Sequence, residues 1–597
     1  MRLRQPALRT RPRARILFLL VFTYLTCVPS FAQSTSENTD AIRGVVINSV
    51  TREPIGRALV FSPDNRFATM TNSEGRFEFL LAKDESAAES GSEVSSLSSQ
   101  GQRASNRPSM LNARKPGYLA GREYHRETLR NEALRDLTIE LIPESLIVGA
   151  ITLPTSEAPD TIGLQVFRRR VQDGHALWVA AGGAQSTTDG QFRFADLAAG
   201  TYKLLTHELL DRDPLTNDPR GALFGYPPVY YENASDFGSA STIRLSAGQT
   251  HTVSLSLVKQ TYYRVKLPVV SMGGDAPENG VRVNVYAHGH KGPGFSLGYN
   301  NRLIQGSLPN GTYTIEVSKY GPNPMTGLRT IVIKGTSIDG PSVTLVPNVV
   351  IAVNVKEEFT SPVNSSSSWN INGHNIVAKG PRRYLNVMLE SADDFGVGQT
   401  IPLRNPTGAV DDALVFEGAP AGSYWVRVNS NHGYAASIRF GNLDLQHQPL
   451  VVGAGGGASP IEITMRDDSA EISGTVEGVT AAASGSSGTS GDTGGMTFYG
   501  PSTGQATAHI YCIPLADSSG QFTEIYVSPD GSFIPQGLAP GAYRLLAFDH
   551  VQPELEYRNP EAMQLYDSKG PIIRVAGGQK ERVQLQLIST GNSGHEQ

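Results

Sequence analysis

The chain has 597 residues, of which 39% are hydrophobic and 18% charged, with 62 glycines and 37 prolines. This is globular composition at a length that implies several domains, with many tight turns. A formal charge of −5 excludes a strongly basic nucleic-acid binder, and two cysteines exclude a disulfide-rich scaffold.

The first 32 residues read as a secretion signal. Six arginines between Arg2 and Arg15 form a basic stretch, Ile16 to Phe22 opens an apolar run, and Ser30-Phe31-Ala32 is a small-x-small cleavage site before Gln33. The apolar run is too short to span a bilayer, so the mature chain is expected to carry no integral membrane segment. Thr26 before Cys27 does not fit a lipid-attachment motif. Cleavage leaves 45 basic against 56 acidic residues, a net of −11, and Cys512 as the sole thiol. The expectation is an exported protein, periplasmic, outer-surface or extracellular, that binds no nucleic acid and has no intrachain disulfide.

Beyond the signal the pattern is strand and turn. In residues 41–143, Gly44 to Asn48, Ala58 to Phe61 and Arg76 to Phe79 read as short strands, and Leu137 to Leu141 closes by alternation. Residues 84–108 are rich in Ser, Glu, Gln and Gly and read as an exposed insertion. Residues 145–259 open at Val148-Gly149-Ala150-Ile151 and end with Gly248-Gln249, then Val253 to Leu257. Two segments, 260–347 and 348–467, are more diverged. Residues 469–590 contain a Gly/Ser-rich loop at 481–496 and end with Gly578-Gln579, then Val583 to Leu587, matching the second segment.

A turn sentence unites these segments. Asp189-Gly190-Gln191-Phe192 is followed by Leu197-Ala198-Ala199-Gly200-Thr201-Tyr202, and Asp530-Gly531-Ser532-Phe533 by Leu538-Ala539-Pro540-Gly541-Ala542-Tyr543. Its second half recurs as Leu308 to Tyr313 and as Ala419 to Tyr424, and its first half as Glu74-Gly75-Arg76-Phe77. The acid and glycine make a hairpin turn, the phenylalanine is the first inward side chain, and the tyrosine is buried as the next strand begins. Recurrence at this period means an array of like modules.

Gly44-x-Val46, Thr51-x-x-Pro54-Ile55-x-x-Ala58-x-Val60 and Thr71-x-x-Glu74-Gly75-x-Phe77-x-Phe79 resemble the carboxypeptidase regulatory-like domain, a transthyretin-like sandwich whose turn logic starch-binding-like modules share. The second and fifth segments carry the Asp-Gly-x-Phe and Leu-x-x-Gly-x-Tyr half well, and the third and fourth match in part. The fold expected is all-β, a tandem array of about five antiparallel Ig-like or transthyretin-like β-sandwich modules. The resemblance implies a secreted or envelope-associated β module with a structural or interaction role, and the whole chain reads as a non-catalytic bacterial envelope protein that is structural, adhesive or interacting. The resemblance supplies no catalytic residues.

The residues that could carry chemistry have plainer readings. Gly491-Asp492-Thr493-Gly494-Gly495 looks like a serine-protease motif, but Thr493 replaces the nucleophile inside low-complexity sequence. His288-Gly289-His290 could put two imidazoles on one strand face, yet has no third ligand nearby. Glu74, Asp189 and Asp530 supply one acid per turn, too few oxygens for calcium. The Arg168-Arg169-Arg170 run reads as a solvated strand. No catalytic residue, metal or cofactor is expected. Phe224, Tyr226, Tyr230 and Tyr231 gather around Pro227-Pro228 after a long loop from Asp211, and the plainer reading is that they pack this loop onto its own domain. Because exposed rings stack on sugar faces, Trp178, Tyr226, Tyr230 and Tyr231 are the candidate carbohydrate-binding residues. The partners expected are therefore a polysaccharide or another envelope protein. An enzyme with an unrecognised site between modules is a remote third reading.

Overall fold

A computed structural model describes residues 41–589 except 65, 82–107, 109, 121–125, 129–136, 154–160, 212–221, 273–276, 278, 290, 322, 364–367, 372–373, 396–399, 407–412, 456–458, 480–507, 516–517, 519 and 529. The signal with Ala32 and Gln33, most of the Ser-rich insertion, the 481–496 loop and its Gly-Asp-Thr-Gly-Gly motif lie outside the described residues. The fold is all-β and multi-module. Five hydrophobic clusters follow one another along the chain, from Ile42 to Leu141, Ile147 to Leu257, Val265 to Leu345, Val349 to Met465 and Ala470 to Leu585. Each is enclosed by short twisted sheets, with alternation setting which side chains face inward, as Phe77 and Phe79 do on strand Arg76–Leu80.

One topological element departs from a purely antiparallel sandwich. In every module the first strand lies beside the last one, and the two are parallel. Ala41–Asn48 pairs with Leu137–Leu141, Ser145–Thr152 with Thr250–Ser256, Gln260–Ser271 with Val343–Pro347, Val349–Glu358 with Ile461–Arg466, and Ala470–Glu477 with Lys580–Ile588. On its other side the first strand pairs antiparallel with the strand that follows the turn acid in the first, second and fifth modules.

This arrangement explains the repeated residues. Gly75, Gly190 and Gly531 have φ of 71°, 81° and 79°, which side-chain-bearing residues adopt at a cost. Their carbonyls accept the N–H of Val46, Ile151 and Val476 at 2.8, 2.9 and 2.8 Å, which ties the hairpin turn to the first strand. The phenylalanine of each turn then lies opposite a first-strand glycine: Phe77 on Gly44, Phe192 on Gly149 and Phe533 on Gly474. A Cβ at Gly149 would stand 2.2 Å from the Val253 carbonyl oxygen and 2.6 Å from the Phe192 ring. Glycine is needed there for space.

The tyrosines end the turn sentence in a common way. Tyr202, Tyr313, Tyr424 and Tyr543 are each the third residue of a strand, Gly200–Thr206, Gly311–Lys319, Gly422–Ser430 and Gly541–Phe548, and all are buried. Each hydroxyl donates to the carbonyl four residues back: Ala198 at 2.6 Å, Pro309 at 3.2 Å, Pro420 at 3.0 Å and Ala539 at 2.7 Å. This is a tyrosine corner, in which one residue fills the core and satisfies the bend that leads into its own strand. Tyr543→Phe should cost about 1 kcal/mol, the net worth of one hydrogen bond, and Tyr543→Ala about 4 kcal/mol. Amide hydrogen exchange across 541–548 reads this locally, and equal protection in all three proteins would mean that the ring is not core.

The shared Gly-Gln pair has a matching role. Gly248 and Gly578 have φ of 78° and 70°, and the Gln249 and Gln579 side chains accept the N–H of Ser246 and Ala576 at 2.8 and 2.9 Å. The turn into the last strand is thus capped identically in the second and fifth modules. These two modules also share a long excursion after the tyrosine strand. It covers the outer sheet face, so Gly200–Thr206 and Gly541–Phe548 are buried on both faces and read as apolar runs, not as alternation. Cys512, on the strand beside Gly541–Phe548, is fully buried, and burial pushes its thiol up to about 12, which makes it inert.

Candidate functional site

Polar and aromatic groups converge where the second, fourth and fifth modules meet. The long hairpin of strands Gly163–Gln172 and His175–Gln185 turns at Asp173 and Gly174, both with positive φ, 49° and 72°. Its tip is held by side chains from two other modules. Arg427 on strand Gly422–Ser430 donates to one Asp173 carboxylate oxygen, as does the Tyr557 hydroxyl, and Arg558 donates to the other. Arg558 Nε also donates to the Asp173 carbonyl at 2.8 Å. The Asp173 side chain is only 9% exposed, so the carboxylate depends on these donors.

Aromatic rings close the junction around the charges. The Arg558 guanidinium lies 4.5 Å from the Trp425 ring centroid, and Tyr557 stacks on Phe522 at 4.2 Å with 7° between planes. A Cβ at Gly174 would stand 2.7 Å from the Tyr557 ring, so the hairpin tip must be glycine for this approach. Glu390, 3.8 Å from Arg427, has its carboxyl pushed up by burial and then by the Asp173 charge, with Arg427 opposing both. On the hairpin itself, Arg169 pairs with Glu556 at 2.8 Å, and Arg168 reaches Glu554 at 3.2 Å and the Ala199 carbonyl at 2.8 Å. Arg168 and Arg169 are therefore not a solvated strand face. They bind acids some 390 residues away, a relation that no local pattern encodes.

The predicted aromatic platform lies on the same hairpin and its neighbours, facing inward. Tyr226 and Tyr230 are 8% and 3% exposed. Tyr226 belongs to the second module's core. Tyr230 packs with Phe167, Leu205 and Phe237, and its hydroxyl donates to the Pro293 carbonyl of the third module at 2.7 Å. Trp178 is half-buried against Phe237, 6.1 Å between centroids, and its backbone N–H donates to the Asp394 carbonyl of the fourth module at 2.7 Å. Phe395 of that module enters the cluster, 5.5 Å from Phe167 and 5.2 Å from Phe237. Tyr231 is half-buried and meets His251 edge-on at 6.3 Å. The four residues do not form one open face: two are covered, and the other two belong to separate clusters.

A third contact set joins the second and third modules. Burial pushes the Glu208 carboxyl up to about 7, beside the Tyr262 hydroxyl at the start of the third module. The folded chain therefore holds this proton more tightly than the unfolded one. Its contribution to stability is complete below about pH 4.5 and is lost as pH rises through about 7, up to about 3 kcal/mol. Glu208→Gln should flatten stability over that window and raise the unfolding midpoint at pH 8. Parallel pH dependence in both proteins would contradict this.

The remaining sequence candidates do not assemble. His288 sits in a turn with φ of 54°, after strand Val281–Ala287, and His290 lies outside the described residues. Among the described residues no group of three or more His, Cys, Asp or Glu side chains is placed to hold a metal ion. Asp530 accepts from the Ser532 N–H and hydroxyl at 3.0 and 2.7 Å, as a turn acid does. No described helix is long and apolar enough to cross a membrane. The junction residues Asp173, Trp425, Tyr557, Arg558 and Phe395 escape sequence reasoning. The one available signal is that Glu554 to Arg558 concentrates charge and aromatic character in a segment with no strand pattern.

The fold and its junctions define the class as an all-β, multi-module protein. No protein-family model and no curated protein matches the chain. Among solved structures, the chain is similar to the Bacillus anthracis TIE protein, with 8% identity over 78% of this chain and 76% of that one, at a TM-score of 0.14. It is also similar to the minor pilin GBS52 of Streptococcus agalactiae, with 13% identity over 37% and 95% at a TM-score of 0.17. The shaft pilin SpaA from Lactobacillus rhamnosus GG gives 11% identity over 37% and 97%, also at 0.17. Chains at such TM-scores do not superpose as wholes.

Proposed function

We propose that this chain is an exported, non-catalytic envelope protein with a structural or adhesive role. Its carboxypeptidase regulatory-like modules, at 41–143, 145–259, 260–347, 348–467 and 469–590, follow a signal removed after Ala32. The observation that carries the reading is the grip on Asp173 by Arg427, Tyr557 and Arg558. Among the described residues, the most elaborate constellation of charges and rings is spent on holding three modules in one arrangement. A scaffold needs that rigidity to present its loops in fixed positions, and catalysis would need those groups open to a substrate.

The test is fractionation of expressing cells with N-terminal sequencing, followed by photo-cross-linking in the intact envelope. The reading expects a product that starts at Gln33, sits in the envelope fraction and cross-links to neighbouring envelope proteins. A chain retained in the cytoplasm with its first 32 residues, or one that cross-links to nothing, would overturn it.

A further inference from the structure

We infer that the third module docks an extended, acidic strand of a partner protein along an open sheet edge. Strand Met325–Ile333 has Gly311–Lys319 beside it over its whole length. On its other side Val343–Pro347 meets only Met325 and Thr326, because the first three residues of that strand pair with Gln260–Ser271 instead. The Asn348 N–H donates to the Pro324 carbonyl at 2.9 Å, so the alternation of an antiparallel ladder points the main-chain groups of every second residue, Thr326, Thr330 and Val332 among them, to this side. Thr330 and Val332 therefore turn N–H and C=O groups toward an edge with no strand to bond, and both residues are exposed. The run Thr330-Ile331-Val332-Ile333 is β-branched throughout and contains no proline, so it is built to pair.

Charge is the second observation, and it selects the occupant. Arg329 shares a strand face with the buried Ile331 and Ile333, yet is exposed, so its guanidinium stands at the rim of the sandwich. Lys334 follows at the end of the strand. Among the described residues neither makes a hydrogen bond or an ion pair. The acid one strand in, Glu316, is occupied from its far side, where it accepts from the Tyr286 hydroxyl and from Asn284. The third module as a whole, residues 260–347, has eight Lys and Arg against four Asp and Glu, a net of +4 in a mature chain of −11. A second copy laid edge to edge would bring like charges together, which disfavours self-pairing, whereas an acidic strand is attracted. Alternation then sets the pattern of the partner. Its side chains beside Thr330 and Val332 meet an apolar or neutral face, and those between them meet Arg329. Alternating apolar and acidic residues on a free strand satisfy both, with main-chain hydrogen bonds supplying the affinity.

The inference rests on the structural and adhesive reading for what fills the edge in the envelope, and the edge itself is testable on the purified chain. The test is calorimetric titration of the full mature chain with an end-blocked octapeptide of alternating valine and glutamate. The same peptide with lysine for glutamate, and the same with N-methylated valines, are the comparisons. The glutamate peptide should bind about ten-fold more tightly than the lysine peptide, and added salt should weaken it. The N-methylated peptide, which lacks the ladder donors, should not bind, and the glutamate peptide should slow amide exchange at Thr330 and Val332. Arg329→Glu should weaken binding about ten-fold. Thr330→Pro should abolish it without moving the thermal midpoint, because the N–H it removes bonds no neighbouring strand. Lys266→Glu, on Gln260–Ser271, should leave binding unchanged. The assignment is overturned by equal binding of the glutamate and lysine peptides, by undiminished binding of the N-methylated one, by no peptide binding, or by an Arg329→Glu variant that binds like the parent. Self-association of the chain that Thr330→Pro abolishes would also overturn it, by making a second copy the occupant. None of those results would bear on where the chain is exported or whether it cross-links in the envelope.

Discussion

Replacing Asp173 by alanine should release the second module from the fourth and fifth. The substitution removes the shared acceptor of Arg427, Arg558 and Tyr557, and leaves two guanidinium groups facing each other across the hairpin tip. Breaking a buried pair from one side costs about 3–5 kcal/mol. The arginine side chains are 29% and 28% exposed, which places the expected loss near the lower end, at about 3 kcal/mol. Small-angle scattering should then show a larger radius of gyration, and the change should grow with added salt, which also weakens the Arg169–Glu556 and Arg168–Glu554 pairs. Asp173→Asn, with the same shape and no charge, should fall between the two. An unaltered scattering profile and thermal midpoint for the alanine variant would show that the three modules are held by something else.

The second large effect concerns space. At Gly474 a Cβ would stand 1.8 Å from the Val583 carbonyl oxygen and 3.0 Å from the Phe533 ring. The first neighbour is backbone, so the parallel ladder between the first and last strands of the fifth module must move. Gly474→Ala should cost about 3 kcal/mol, at the upper end for overpacking. Gly578→Ala is the control: its φ is 70°, but nothing lies within 4 Å of the added atom. It should cost about 1 kcal/mol, from backbone conformation alone. Hydrogen exchange on strand Ala470–Glu477 separates the two, and equal losses would mean that the glycine is there for its backbone and not for its missing side chain.

Most of each module is legible from short-range chemistry. The turn acid, the positive-φ glycine, the inward phenylalanine and the corner tyrosine fall within one short stretch, 189–202 in the second module and 530–543 in the fifth, so their spacing survives as a pattern. Even the Gly-Gln pair can be found by matching endings, although its cap becomes intelligible only when Gln579 is seen bonding Ala576. The parallel pairing of first and last strands is not legible, because it joins residues such as Gly149 and Val253 that share no local rule. The junction is less legible still. Asp173 looks like an ordinary hairpin-tip residue, and nothing near it announces Arg558. Tyr230 and Trp178 share a cluster although they lie far apart in the sequence, and whether a ring faces solvent or a neighbouring module depends on inter-module geometry. Phe395, which enters that cluster, lies in a loop with no aromatic neighbour in sequence.

The parallel pairing also decides how the array answers a pull. Because first and last strands run the same way, the chain enters a module at one end and leaves at the other. Tension along the chain therefore loads the ladder between them in shear, with its evenly spaced bonds strained together and not unzipped one by one. The ladder is unequal: it runs unbroken over seven register pairs in the second and fifth modules, six in the fourth and five in the first, but in the third it is split, with three pairs to Val343–Pro347 and two to Ile338–Asp339. In single-molecule stretching the third module should be the first to extend, giving the array a mechanical fuse near its middle while the modules on either side keep their shape.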